Sequence, residues 1–343
     1  MAAQRVRDRA TDTGSGERRS DDDRGRDARA VSDIPAKGWK DVLARTYRSI
    51  KVDNVPLLSA GVALYLLIAL VPALIAFISV YALVSNPAEI QREIASLTEG
   101  APSGVEELLT TQVNRIAESS AGRSFAALGI GLLGALWATS TGMRHLISAV
   151  NDAYDEGETR GFLRLRGRAI LFALGAGVLF AVALFVITVV PPLVADLATP
   201  LQVVARVLVF VVLAAIFAVA LALVYRYAPD RDNAEFRWVS WGAVIATLVW
   251  VAASIGFSFY VANFGTYNAT YGSLGAVVIL ILWLVITAYA VLGGAELNAE
   301  LEAQTRHDTT VGPDRPMGER GAVKADEVGP SSEQMDEETQ APR

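Results

Sequence analysis

The chain has 343 residues, 52% of them hydrophobic and 19% charged, with a formal net charge of −6, no cysteine and only two histidines. Without cysteine there can be no disulfide, thiolate metal site or thiol nucleophile, and His145 and His307 alone supply a metal cluster or a histidine-based triad poorly. Nearly all the charge lies in the two ends and in connecting segments, which marks a membrane domain with polar tails.

Residues 1–36 are rich in Arg, Asp, Ser and Gly, as in Arg18, Arg19, Asp21, Asp22, Asp23 and Arg24, and hold too few large apolar residues to bury a core. They are expected to form a disordered cytoplasmic tail. From Gly38 to Lys51, Trp39, Val42, Leu43, Tyr47 and Ile50 recur at helical spacing, with Lys40, Arg45, Arg48 and Lys51 on the remaining face. This is a basic amphipathic helix, lying either in the lipid headgroup layer or against the inner end of the bundle.

Six stretches then carry no Asp, Glu, Lys or Arg: Leu57 to Val84, Ser124 to Met143, Ala169 to Ala195, Val207 to Tyr225, Val239 to Ala262 and Ser273 to Ala295. Each is long enough to cross a bilayer core as helix, for which about 20 residues suffice. The runs are continuous rather than alternating, so helices and not barrel strands are expected. The first run also exceeds the h-region of a cleavable leader, about 7–15 residues, and should remain as an anchor.

Arginines and lysines set the orientation. Lys37, Lys40, Arg45, Arg48 and Lys51 precede the first run; Arg144, Arg160, Arg164, Arg166 and Arg168 separate the second from the third; Arg226, Arg231 and Arg237 separate the fourth from the fifth. The other connections are poorer in positive charge, so both termini are expected in the cytoplasm of a multi-pass plasma-membrane protein. The extracytoplasmic segment 85–123 reads as two short amphipathic helices, one with Ile90, Ile94 and Leu97 on a face, the other with Val105, Leu108, Leu109, Val113 and Ile116. Ser103 and Glu106 have the spacing of a capping box at the start of the second. Residues 304–343, with Pro313, Pro316 and the acidic run Asp336, Glu337 and Glu338, are expected to be a second disordered tail, leaving 37–303 as a six-helix, all-α membrane domain. Both tails are candidate arms for protein partners.

Within the membrane region, Ala127, Gly131, Ala135 and Thr139 form a stripe of small residues suited to close helix packing, and Pro72 is expected to bend the first span. The second run continues without a loop signal, so Ser140, Arg144, Asn151 and Tyr154 should descend toward the cytoplasmic end of the bundle. Glu296 and Asn298 reach the same boundary from the sixth run, and Arg144 pairing with Glu296 is one way to satisfy both. With Tyr271 in the short neutral connection before the sixth run, Ser140, Arg144, Asn151, Glu296 and Asn298 make up a candidate polar cluster for substrate binding or structure.

The chain resembles the YihY/BrkB family of bacterial inner-membrane proteins, once labelled ribonuclease BN. The resemblance is carried by Leu64 to Pro72, Leu136 to Gly142 with Ala149 to Tyr154, Tyr225 to Pro229, Tyr271 to Gly275 and Gly294 to Ala299. It implies six spans with both ends cytoplasmic. Ribonuclease activity is not expected: RNA hydrolysis draws on acids clustered around metal ions or on His and Lys acid–base pairs, and Asp152, Asp155, Glu156 and Glu158 offset the arginines that might have met RNA. Neither nucleic acid nor a cofactor or metal is expected, and no phosphate-binding Gly-rich loop is present for ATP hydrolysis. The function expected is movement or binding of a lipid or amphipathic substrate in the cell envelope, by a protein that is not an enzyme; the alternative is a non-transporting envelope scaffold.

Overall fold

A computed structural model describes residues 23–81, 125–195, 198–263 and 273–340. Water cannot satisfy backbone groups in hydrocarbon, so each apolar run closes its hydrogen bonds within itself as helix. The helices are α1 (Ala36–Val52), α2 (Val55–Tyr81), α3 (Phe125–Ala153), α4 (Phe162–Leu193), α5 (Thr199–Tyr227), α6 (Phe236–Asn263), α7 (Ser273–Glu302) and two short ones, α8 (Val323–Asp326) and α9 (Ser332–Gln340). Among the described residues there is no strand beyond a single antiparallel bridge between Ala234 and Thr310. Among the described residues five segments are long and apolar enough to cross a membrane: Val55–Leu74, Phe162–Val190, Thr199–Tyr227, Phe236–Ala262 and Val277–Glu302. The remaining long helix, α3, carries Arg144 and Asp152 in its second half. The expected helices within 85–123, with Ser103 and Glu106, and the connection bearing Tyr271 lie outside the described residues.

Helices α2 to α7 pack each against the next, and α7 returns to α2, so the six close into a ring. α7 also touches α1, α3 and α5. The packed core sits at the end of the ring carrying the arginine-rich connections, where Val62, Ile147, Val150, Tyr154, Leu221, Tyr225, Val239, Ala243, Ala246, Leu292 and Ala295 are buried together. Elsewhere α4 and α5 present large apolar residues outward, among them Leu171, Val178, Phe185, Val207 and Phe210. On a water-soluble protein such surfaces would be a liability; in lipid they are the contact with acyl chains.

Small residues set the closest crossings. Gly142 of α3, which is not a member of the expected small-residue stripe, lies against the Tyr65 carbonyl and Ala69 of α2; the stripe's Ala127 and Gly131 fall outside the described side chains. A Cβ added at Gly294 of α7 would stand 2.5 Å from both Ala246 Cβ and Tyr225 Oη, whereas one at Gly293 meets only Ile50 Cδ1 at 4.0 Å. Gly294→Ala should therefore force α6 and α7 apart and cost about 1–3 kcal/mol, seen as a lower melting temperature in detergent. Gly293→Ala serves as the control and should leave stability unchanged or slightly raised, as alanine is the better helix former. Helix α2 continues through Pro72 to Tyr81.

Two expectations need correction. The segments adjoining the bundle are not free tails: 23–35 and 304–340 fold over its polar end. Val31 and Ile34 share an apolar cluster with Val42, Trp238, Leu297 and Leu301, while the buried Arg320 donates to the carbonyls of Arg306, His307, Arg315 and Ala325. These segments are too polar for a core of their own, and they order by giving their backbone groups to buried side chains of the membrane domain and of each other. Arg45, expected on the outer basic face of α1, is instead buried beneath the C-terminal segment. Of the two placements expected for α1, the structure shows the one against the bundle end: it packs on α7, α2 and α9 with Val42 and Arg45 inward, while Leu43 and Tyr47 stay exposed.

Candidate functional site

On α3, Ser140, Arg144, Ser148 and Asn151 follow one another at three- and four-residue steps and so run down one side of the helix. The structure gives them separate tasks. Ser140 is buried and donates to the Trp137 carbonyl of its own helix at 2.7 Å. Asn151 is a clamp: its Nδ2 donates to Glu158 at 3.0 Å and its Oδ1 accepts the Asp230 backbone N–H at 2.8 Å, tying the α3–α4 connection to the α5–α6 connection.

Arg144 lines a pocket of about 210 Å³ with His145, Ser148, Glu158 and Leu165. The His145 ring stacks on Tyr65 at 3.5 Å, and burial together with the Arg144 charge pulls its pKa below the ordinary histidine value, so the imidazole is neutral near pH 7. Glu158 is already matched, chiefly by hydrogen bonds from Arg160, which hold its carboxyl below the usual glutamate range. Close by, the buried guanidinium of Arg166 donates to the Trp137 carbonyl at 3.0 Å and to Thr141 at 3.2 Å while lying 3.8 Å over the Trp137 ring. With Glu158 engaged by Arg160, the pocket keeps the positive charge of Arg144, reinforced by Arg166.

Glu296 and Asn298 point elsewhere. Asn298 is fully buried against α6, accepting the Gly242 N–H at 2.9 Å and donating to the Val239 carbonyl at 3.1 Å. A Cβ on Gly242 would fall 2.3 Å from Asn298 Oδ1, which explains a glycine there. Glu296 is 1% exposed and faces Asp53, Lys324, Glu300 and Asp155. The expected pairing of Arg144 with Glu296 is thus absent: the cation acting on Glu296 is Lys324 of α8, and Arg144 lines a pocket with Leu165 of α4. The candidate cluster is not one site, and Tyr271 lies outside the described residues.

Two ion networks beneath the bundle were not anticipated. Arg45 Nε donates to Glu300 Oε2 at 2.6 Å, its Nη2 to the Glu300 carbonyl and Gln304, and its Nη1 to the Pro330 carbonyl. Lys324 Nζ bridges Glu300 Oε1 at 2.9 Å and Asp155 Oδ2 at 2.8 Å. Burial acts to lower the Lys324 pKa, but these two carboxylates outweigh it and hold the ammonium above the ordinary lysine value. In the second network Arg231 and Glu302, both wholly buried, meet at 2.8 Å; Thr309 donates to Glu302, and the guanidinium lies 4.6 Å over the Tyr154 ring. Burial, and then the Glu302 charge, push the Tyr154 hydroxyl well up, so it stays protonated. The one sequence signal for the first network was the four-residue step from Glu296 to Glu300 past the end of the apolar run. Among the described residues no group of three or more His, Cys, Asp or Glu is arranged to hold a metal ion.

Apolar helices ringed together, with their ionic groups gathered at one end, define a polytopic helical membrane protein. A family model described as virulence factor BrkB matches residues 46–317, and the chain belongs to that family. It is 30% identical over 254 residues to the ribonuclease-like protein YfkH of Bacillus subtilis (strain 168), covering 72% of this chain and 90% of that protein. It is 41% identical over 80 residues to the UPF0761 membrane protein IL2447 of Idiomarina loihiensis, covering 23% of this chain and 28% of that one. A UPF0761 membrane protein of Tolumonas auensis is also 41% identical, over 81 residues, covering 23% and 26% respectively. No solved structure matches.

Proposed function

We propose that this protein binds the anionic headgroup of an amphipathic lipid at the Arg144 pocket and moves it within the cell envelope, without enzymatic chemistry. In this reading α3 is a sixth crossing, both termini are cytoplasmic and the membrane is the bacterial inner membrane. The carrying observation is a positively charged pocket between α3 and α4 beside a long apolar helix surface that includes Leu171, Val178 and Phe185. A phosphate head and its acyl chains need that pairing of a cation with an adjacent lipid-facing wall. No energy source is invoked, so movement is passive, ion-coupled or driven by a partner.

The test uses vesicles of phosphatidylglycerol and phosphatidylethanolamine containing the purified protein and a fluorescent phosphatidylglycerol. Wild type should speed its transfer between leaflets, and Arg144→Ala should slow that transfer about tenfold, the loss of one charge-assisted contact. Equal rates for wild type, Arg144→Ala and protein-free vesicles would sink the transport reading and leave a scaffold.

A further inference from the structure

Glu296 is a buried ionisable group that neither network satisfies. Both of its carboxyl oxygens lack any N–H or O–H donor among the described residues. An ionised carboxylate so placed is expensive, because burial removes its water and nothing replaces it. What faces it is another acid, Asp53, in the turn between α1 and α2, whose negative charge acts on Glu296. Two ionised carboxylates offer each other only acceptors and repel, whereas one that keeps a proton can donate to the other. Burial pushes the Asp53 carboxyl above the ordinary aspartate range, and the Asp155 charge adds to this while the contact with Glu296 works against it.

The charged surroundings come from every side. Asp152 and Asp155 approach from the end of α3, Glu300 from one turn further along α7, and Lys324 from α8. Arg45 is spent on Glu300, which leaves Lys324 as the cation within reach of the acid pair. Lys324 is delivered by the C-terminal segment, which also covers Arg45 through the Pro330 carbonyl.

We propose that Glu296 and Asp53 together hold one exchangeable proton, and that the seating of Lys324 beside them couples this proton to the position of the C-terminal segment. With the proton in place the pair carries a single negative charge. When the proton leaves to water the pair carries two, and the Lys324 ammonium is drawn in more strongly; when Lys324 is withdrawn, the pair holds its proton more tightly. The segment is then a latch on the cytoplasmic face that a proton loosens. This stands independently of the lipid reading, because it concerns neither the Arg144 pocket nor the lipid-facing wall.

Infrared spectroscopy of the full chain in lipid nanodiscs, titrated with pH, reads protonated carboxyls directly. A protonated-carboxyl band is expected at neutral pH in the wild type, absent in Glu296→Gln, which keeps the shape and offers Asp53 a donor, and altered in Asp53→Asn. Lys324→Ala should make the pair bind its proton about tenfold more tightly, through loss of the nearby positive charge. A band unchanged in both Glu296→Gln and Asp53→Asn overturns the proton site. A titration midpoint that Lys324→Ala does not move overturns its coupling to the C-terminal segment.

Discussion

Glu302→Ala is expected to destabilise the folded protein by about 3–5 kcal/mol, because it strands a buried guanidinium. Arg231 and Glu302 both have wholly buried side chains, and Glu302 also accepts the Thr309 hydroxyl at 2.9 Å. Removing the carboxylate leaves Arg231 with its ring contact to Tyr154, no ion-pair partner within 4 Å among the described residues, and only the charge of Glu156 acting on it. The attraction within the pair is largely offset by the cost of taking both charges out of water, so the pair itself adds little net stability. Arg231→Met combined with Glu302→Leu should then recover most of the loss. Thermal unfolding in detergent, followed by tryptophan fluorescence, distinguishes the two cases. A double variant as unstable as the single one would show that the pair is worth its full Coulomb energy, contrary to this account.

Arg45→Ala should be nearly as damaging, about 3 kcal/mol, but its effect should be local. The side chain joins α1 to the Glu300 carboxylate and carbonyl, to Gln304 and to the Pro330 carbonyl, so its loss loosens the hold of α1 and α7 on the C-terminal segment. Lys324 still neutralises Glu300, and α9 retains its contact through Asp41, whose Oδ1 accepts the Ser332 N–H at 2.8 Å. Burial acts to raise the Asp41 pKa, yet this bond and those from Arg24 hold it below the ordinary aspartate value, so the contact persists near neutral pH. Hydrogen exchange should rise across residues 323–340 while the cores of α2 and α7 keep their protection. Uniformly faster exchange throughout the bundle would show that Arg45 supports the whole fold and not this latch.

What one strand of sequence determined is the part governed by solvent. Continuous apolar runs such as Val207 to Tyr225 can close their backbone bonds in lipid only as helix, so element type and approximate limits were legible. The step from Ser140 through Arg144 to Asn151 on one side of α3 was legible for the same reason, as it follows from helical geometry alone. Partner choice was not. Arg144 and Glu296 reach one end of the bundle from helices α3 and α7 that touch, but the rotation of each helix about its axis decides which neighbour a side chain meets, and here that rotation sends Arg144 toward Leu165 and Glu296 toward Asp53 and Lys324. The polar segments 23–35 and 304–340 were misjudged because composition measures whether a segment can bury its own core. It does not register that Arg320, Gln304 and Thr305 can instead satisfy the backbone of neighbouring segments, and only the folded chain brings those groups together.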